Sequence, residues 1–501
     1  MNLFASPTQH EWIVFVSIFA SVGLFIGIAE LLRHIFNGSP EITRKLVHIL
    51  TGVLIFFAPE LFISGIPALL LSVSFIVINF AAIQFGLLKG MHGTNRRSYG
   101  TVYYPLSFLI LVLLFWDSAP FIISVSILIL ALGDAAAAIV GENLRHPHEY
   151  RLTSDKKSYE GSAVMFVTTF GIIIAAILYY APVEVYGSLF MIGITVALFV
   201  TIGEAISSKG FDNLTVPLSA AFMLHYFCVP LAHHNPDQMT AAVILALIIA
   251  IVSFQFEFLS PGGSAATFLL ATIIFGIGGW AWTIPILTFF VTSSLLSKFG
   301  KARKKKLDVI IEKTNKRDEV QVAANGGVAG IIILLWYIFP QQTDLYLIYI
   351  ASLAAVTADT WATEIGTLSK KKPISIVTFK FVEPGTSGGV SLVGFFGSFL
   401  GASVIVLSGW VMNDLVISGS TIAKIIFSGM LGSIVDSICG ATLQAQYQTD
   451  SGTITEKTMY HGKPTTRIRG VGWIDNDLVN WICAAAGSLA MYLLLKFPFL
   501  H

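Results

Sequence analysis

Apolar runs long enough to cross a bilayer recur along the chain from about residue 12 to residue 496. At the usual ~20 residues per crossing there are about 16 of them. The pattern predicts an all-α, polytopic membrane protein, because lipid offers no partner to a backbone outside a helix or closed barrel. Short polar segments separate the runs. The basic ones are "RRSYG" at 96–100, "ENLRHPHEYRLTSDKK" at 142–157, "KFGKARKKK" at 298–306, "KR" at 316–317 and "SKKKP" at 369–373, and Arg44 with Lys45 begins a sixth. With the spans so assigned all six fall on one face, which the positive-inside tendency makes cytoplasmic. The opposite loops, "WDSAP" at 116–120, "HHNPDQM" at 233–239 and "FPQQTD" at 339–344, carry little or no basic charge. The expectation is a multi-pass protein of the cell (inner) membrane whose polar motifs face the cytoplasm. The opening "MNLFASPTQHEW" has no basic start or small-residue cleavage site, so a retained first helix is expected.

The loop near residue 235 divides the chain into 1–235 and 236–501, each with enough spans for a helical bundle. Polar residues inside the runs relate the two parts. "LGDAAAAIVGENLRH" begins at Leu132 and "TADTWATEIGTLSKK" at Thr357. Aligning Asp134 with Asp359 without gaps puts Ala137 on Ala362, Gly141 on Gly366, Arg145 on Lys370 and Ser162 on Ser387. A later acid follows in each half, Glu204 and Asp436, and then an Asn/Asp pair opens "FDNLTVP" at 211–217 and "DNDLVN" at 475–480. Upstream, Arg44 and His48 share a helical face in one half, and Arg317 and Gln321 in the other. Matches among Gly, Ala and Ser are common in membrane helices, which pack closely through small residues. Embedded acids are costly and face a cavity or an interior partner, so their repetition points to a duplicated functional site in two related bundles.

Composition narrows the class further. Of 501 residues, 55% are hydrophobic and only 12% charged, against about 25% charged in soluble domains. Mean hydropathy is +0.78. A net charge of +1 gives no reason to expect a nucleic acid partner. Cys228, Cys439 and Cys483 sit in or beside apolar runs without metal-ligand spacing and read as buried structural thiols.

Each half thus gathers carboxylates, a Lys/Arg loop and glycine-rich turns at one membrane boundary. Carboxylates there can hold Mg²⁺, which binds through few protein oxygens plus substrate phosphates. Basic side chains and backbone amides near glycines suit phosphates, and the apolar bundle suits a lipid tail. Phosphoryl transfer by positioning and charge neutralisation fits this set. No G-x-x-x-x-G-K-[ST] stretch exists, and "HGKPTT" at 461–466 lacks its spacing and reads as a loop. His48 fits either a phosphate partner or a proton acceptor, or a histidine that is simply hydrogen-bonded.

The first half resembles the phytol kinase and dolichol kinase family of CTP-dependent polyprenol kinases. The resemblance lies in "RKLVHILTG" at 44–52, "RRSYGTVYYPLSF" at 96–108, "LGDAAAAIVG" at 132–141, "KKSYEGS" at 156–162 and "GEAISSKGFDNLTVP" at 203–217. The second half resembles the phytyl-phosphate kinase family through "SSLLSKFGKARK" at 293–304, "KRDEVQVAANGG" at 316–327, "ADTWATEIG" at 358–366, "PGTSGGVSLVG" at 384–394, "DSICGATLQAQYQ" at 436–448 and "GVGWIDNDLVN" at 470–480. The resemblance implies one polypeptide that phosphorylates an isoprenoid alcohol (phytol, geranylgeraniol or farnesol) to its monophosphate and then to its diphosphate. It implies CTP as donor, Mg²⁺ as metal, surrounding membrane lipids and a role in isoprenoid salvage. It also implies roles. Asp134, Glu160, Glu204, Asp359 and Asp436 would be catalytic. Asp134, Asp212, Asn213, Asp359, Asp436, Asn476 and Asp477 would hold metal. Arg44, His48, Gly141, Lys156, Lys157 and Ser162 would bind nucleotide or phosphate in the first half. Arg317, Gln321, Gly366, Lys370 and the turn Gly385, Thr386, Ser387, Gly388 would do so in the second. The second half has Gly385-Thr386-Ser387 where the first has Glu160-Gly161-Ser162, one carboxylate fewer. Two rival readings share these features: a secondary transporter, which also uses repeats and embedded carboxylates but near the bilayer midplane, and a cytidylyltransferase acting on a lipid phosphate.

Overall fold

The computed structural model describes residues 2–36, 40–86, 98–180, 189–231, 234–298, 316–369, 371–411 and 418–497, apart from 451, 453, 457, 461 and 462. The described residues form two compact units, Met1–Val243 and Ile244–His501. The division falls within one helix, Pro236–Gln255, rather than in the polar loop before it.

The first unit contains α1 (Gln9–Phe36), α2 (Pro40–Phe56), the single turn α3 (Ala58–Leu61), α4 (Ile66–Gln84), α5 (Gly100–Phe115) and α6 (Pro120–Asn143). A hairpin of β1 (Glu149–Tyr150) and β2 (Lys157–Ser158) follows, then α7 (Tyr159–Tyr180), α8 (Leu189–Ile206), α9 (Asp212–Cys228) and the start of α10 (Pro236–Gln255). α6 and α8 are largely enclosed by their neighbours, whereas α1 turns Ile13, Val16, Leu24 and Leu31 outward. Apolar side chains on the outside are what lipid as solvent calls for.

In the second unit α11 (Pro261–Lys298), α12 (Glu319–Ile338) and α13 (Asp344–Gly366) precede the hairpin β3 (Ile374–Ser375)–β4 (Gly389–Val390). After it come α14 (Leu392–Val411), α15 (Gly419–Thr442), the short strands β5 (Gln446–Gln448), β6 (Ile454–Thr455), β7 (Met459–Tyr460), β8 (Lys463–Pro464) and β9 (Thr466–Arg469), and α16 (Asn476–Lys496). β6, β5 and β9 form one antiparallel sheet and β7 pairs with β8. The "HGKPTT" stretch read as a loop therefore runs through β8 into β9; segments this short carry no alternation that would mark them in sequence.

α13 is the axis of the second unit and packs against α11, α12, α14, α15 and α16. Its inner face is a run of small residues, Ala351, Ser352, Ala354, Ala355 and Ala358, all buried. Backbones can then approach closely. A Cβ on Gly432 of α15 would stand 2.5 Å from the Ala355 Cβ, and one on Gly487 of α16 would stand 2.6 Å from the same atom.

Among the described residues twelve helices are long and apolar enough to cross a membrane, against the ~16 read from hydropathy at ~20 residues each. The difference is one of length and merging. α2, α5 and α9 have only 17, 16 and 17 residues. α11 has 38 residues but breaks at Gly279, whose φ of 60° and ψ of −154° interrupt the helix. The three cysteines are free and buried, as their apolar surroundings predict.

Gly432→Ala should lower the unfolding temperature in detergent, by about 1–3 kcal/mol of overpacking against Ala355. Gly171→Ala, where a Cβ meets open space, should leave it unchanged or slightly raised. Equal melting of the two variants would contradict the close α13–α15 approach.

Candidate active site

A cavity of about 460 Å³ opens in the first unit. One end is polar and gathers Asp134, Glu204, Asp212, Lys45, Lys157 and Arg44; the other is lined by apolar residues such as Val22, Ile55, Leu71, Phe75 and Phe108. Asp134 ends a π-helical stretch, Ile129–Asp134, inside α6. Such local widening is frequent at functional positions, and here the carboxylate it presents is enclosed, at 7% exposure.

Oxygens of Asp134, Glu204 and Asp212 lie within 4.8 Å of one another. At that spacing each pair of ionised carboxylates repels by roughly 3 kcal/mol or more at an effective dielectric of ~20. Two lysines compensate. Lys45 Nζ donates to Asp134 Oδ2 at 2.5 Å. Lys157 donates to Glu204 and also lies 3.5 Å from Asp212 Oδ2. Burial alone would push the Lys157 ammonium down, but Glu204 and Asp212 outweigh it and hold its pKa above the ordinary lysine range. Three carboxylate oxygens this close, with few other protein ligands, suit a small divalent cation that keeps oxygens of water or phosphate in its remaining positions.

Local folding explains how these groups meet. β1 and β2 pair Tyr150 with Lys157, so the hairpin aims Lys157 back at the acids. The loop after α8 passes over α5 through Gly210 at φ +83°, where a Cβ would fall 2.6 Å from the Gly100 nitrogen. Asp155 Oδ2 accepts from the Lys209 amide and so ties this loop to the hairpin. Asp212 then opens α9 beside Asn213, whose side chain donates to Asp212 Oδ1 at 3.0 Å and to the Gly210 carbonyl at 3.1 Å. His48, on the α2 face that carries Lys45, lies 3.9 Å from Asp134 Oδ2, and its ring is 4.6 Å from that of Tyr104.

Not every residue singled out from sequence joins this set. Lys156 lines the cavity but pairs with Glu149 at 2.6 Å, and Ser162 meets the Tyr150 hydroxyl at 2.6 Å. Glu160 turns to His148 at 2.6 Å and does not line the cavity. Gly141 makes room, since a Cβ there would be 2.7 Å from Ser158 Oγ.

In the second unit Asp359 stands on α13, Asp436 on α15, and Asn476 and Asp477 open α16. Ser433 Oγ donates to Asp359 at 3.4 Å, and Cys483 on α16 lies within electrostatic reach of both Asp359 and Asp436. Asp475 caps α16 through the Leu478 amide at 2.9 Å. Cys439, Ile474 and Val479 form a cluster that clamps the end of α15 to the start of α16. Among the described residues only the first unit brings three acidic oxygens within 4.8 Å. Lys370 lies outside the described residues.

Gly385 and Gly388 have φ of +87° and +79°, the left-handed region that glycine enters freely. Their turn lies on the end of α15, where a Cβ on Gly388 would be 2.6 Å from the Ser437 carbonyl. Between them, Ser387 donates to Glu456 Oε1 at 2.7 Å, and Gln444 donates to the same oxygen at 2.9 Å. Glu456 follows β6 and thus brings a carboxylate to the turn that lacked one in sequence. Arg317 and Gln321 do not join the acids. They line a separate small cavity with Phe289 and Phe290.

The two units share a contact pattern whose spacing differs from that of the gapless alignment. Ser158 Oγ accepts from the Gly161 amide at 3.1 Å, and Ser391 Oγ from the Gly394 amide at 3.1 Å. A Cβ on Gly161 would be 3.0 Å from the Ala137 carbonyl, and one on Gly394 3.0 Å from the Ala362 carbonyl. Ser158 and Gly161 thus answer to Ser391 and Gly394, and Ser162 has no contact-based link to Ser387. Likewise α12, with Arg317 just ahead of it, packs on α13 and α16 as α5 packs on α6 and α9. Lys45 and Glu456 were missed. Lys45 shares a helix face with His48 and could have been found from that spacing, whereas Glu456 carries no sequence signal.

Lys157→Met should lower the unfolding temperature in the presence of EDTA, by an amount equivalent to about 3–5 kcal/mol, because Glu204 and Asp212 lose their counterion. Millimolar Mg²⁺ should return at least half of that loss; a fall of equal size with and without Mg²⁺ would contradict a cation site at the three acids.

Residues 244–488 match the family described as integral membrane protein DUF92. Protein PGR of Arabidopsis thaliana is 30% identical over 270 residues, covering 49% of this chain and 92% of that protein. Phytol kinase of Synechocystis sp. is 32% identical over 203 residues, 40% of this chain and 86% of the relative. The chloroplastic farnesol kinase of Arabidopsis thaliana is 31% identical over 206 residues, 38% of this chain and 66% of the relative. No solved structure matches. By these matches the chain belongs to the DUF92 family of integral membrane proteins.

Proposed function

We propose that this protein is a membrane kinase of isoprenoid alcohols. The first unit transfers the terminal phosphoryl group of a nucleoside triphosphate, CTP, to phytol, geranylgeraniol or farnesol. The second phosphorylates the resulting monophosphate to the diphosphate, which returns free isoprenoid alcohols to use. The observation that carries this reading is the cavity that joins three carboxylates and two lysines to an apolar arm. Relatives named phytol kinase and farnesol kinase support it.

Asp134, Glu204 and Asp212 would hold Mg²⁺, which when bound neutralises phosphate charge. Lys45 and Lys157, which pair with those acids, would also meet phosphate oxygens, with Arg44 and Lys156 at the cavity wall adding charge. The apolar arm holds the isoprenoid chain with its hydroxyl toward the acids. The hydroxyl oxygen bonds to the terminal phosphorus, the bond to the bridging oxygen breaks, and the hydroxyl proton passes to His48 beside Asp134. In the second unit Asp359, Asp436, Asn476 and Asp477, with the Gly385–Gly388 turn, serve the second transfer. The matched Ser–Gly–Ala contacts of the two units support a duplicated ancestor. Catalysis at the cytoplasmic face follows from the basic loops.

The test supplies membranes from an expressing strain with CTP labelled at its γ-phosphate and with phytol or farnesol. Label in lipid monophosphate and diphosphate is expected. Label released as pyrophosphate would indicate cytidylyl transfer, and a purified protein that turns over no nucleotide would favour a transporter. Asp134→Asn should slow the first transfer by about 100-fold or more, whereas Asp359→Asn should let monophosphate accumulate. An unchanged diphosphate yield in Asp359→Asn would refute the assignment of the second step.

A further inference from the structure

The small cavity of the second unit has an unusual lining. Its volume is about 80 Å³, room for about five to eight waters. Its wall is apolar, with Leu270, Ile274, Ile286 and Phe289, and no acid lines it. Polar groups come from Arg317, just ahead of α12, from Gln321 and Asn325 one turn apart on α12, and from Thr267 and Thr283 of α11. The Arg317 guanidinium lies 5.3 Å from the Phe289 ring and 5.8 Å from the Phe290 ring.

No carboxylate pairs with Arg317 among the described residues. Its backbone is pinned instead, donating to the Phe258 carbonyl at 3.0 Å and accepting from the Ser260 amide at 2.9 Å. Asp318, next in the chain, is spent on capping α12 through the Gln321 amide at 2.9 Å. Burial lowers the Arg317 pKa to about 10, so the group is still charged at neutral pH. Aromatic faces attract such a cation but satisfy none of its five N–H donors. An ionisable residue held in this setting suits an anionic partner. The planar donor fork fits a phosphate through two parallel hydrogen bonds.

We infer that this cavity is the acceptor seat for a prenyl monophosphate, with Arg317 and Gln321 taking its phosphate and the apolar wall the start of its chain. The inference rests on the two-step reading above and assigns Arg317 and Gln321 to the lipid substrate rather than to the nucleotide. The absence of acids from the lining and the cavity's small size argue against a metal–triphosphate there. α12 itself packs against α13, which carries Asp359, and against α16, which opens with Asn476 and Asp477. A neutral alcohol leaves the guanidinium unanswered, so the seat selects for the phosphorylated chain.

The test uses the full chain in detergent without nucleotide and a farnesyl monophosphate analogue whose chain carries a diazirine. After irradiation and peptide mapping, label is expected on residues 261–298 or 319–338. Farnesyl monophosphate should compete at least tenfold better than farnesol. Arg317→Gln should cut labelling there about tenfold or more, and Arg317→Lys, which keeps the charge, should restore part of it. If Arg317→Gln does not fold, Gln321→Met serves instead, with a loss of several-fold expected. Label elsewhere only, equal competition by farnesol, or labelling indifferent to both substitutions would overturn the inference. Labelling needs no turnover, so a chain that labels as expected but forms no diphosphate would refute the kinase reading while leaving the seat in place.

Discussion

Carboxylates brought together inside an apolar bundle repel one another and lose their water, and the first unit is arranged around that cost. Asp134, Glu204 and Asp212 come from three separate helices and converge within 4.8 Å. Two ammonium groups make this tolerable, one from α2 and one from the β1–β2 hairpin. Lys157 requires the hairpin, the hairpin requires Asp155 to tie it to the loop after α8, and that loop requires glycine at residue 210. Three acids against two partly buried lysines leave a cluster that a divalent cation and an incoming polyphosphate could complete.

Close helix approach is the second requirement. Acids on neighbouring helices converge only if backbones come nearer than ordinary side chains permit, and small residues supply this in both units. Gly161 meets the Ala137 carbonyl, and Gly394 meets that of Ala362. Each glycine belongs to the helix that follows the hairpin, and each alanine stands three residues beyond Asp134 or Asp359. The element common to both units is thus a contact, whereas the loop leading to it has a different length in each unit.

The two cavities differ in the charge that meets their apolar walls. In the first unit the apolar arm runs up to lysines already matched by acids. In the second, the small apolar cavity ends at an arginine whose contacts are aromatic faces. Charge at the head of the apolar space, more than its shape, separates the two.

The helical membrane fold was legible in the sequence because hydrocarbon imposes a length and a polarity that simple windows detect. The embedded acids Asp134, Glu204, Asp359 and Asp436 were equally legible, since any ionisable residue in such a run stands out against its surroundings. Tertiary structure alone decided their partners. Lys45 rather than Arg44 reaches Asp134, because a helical rotation of one residue is about 100° and the sequence leaves the facing side open. The family resemblance made Glu160 a site acid, yet it turns to His148. Glu456 arrives at the Gly385–Gly388 turn through short strands that have too few residues for any periodic signal. The pairing of Arg317 and Gln321 with His48 and its neighbours failed for a related reason. The expected shared face breaks there, because extended Asp318 caps a helix that begins at Glu319 and leaves Arg317 outside it, a boundary that four-residue spacing does not record.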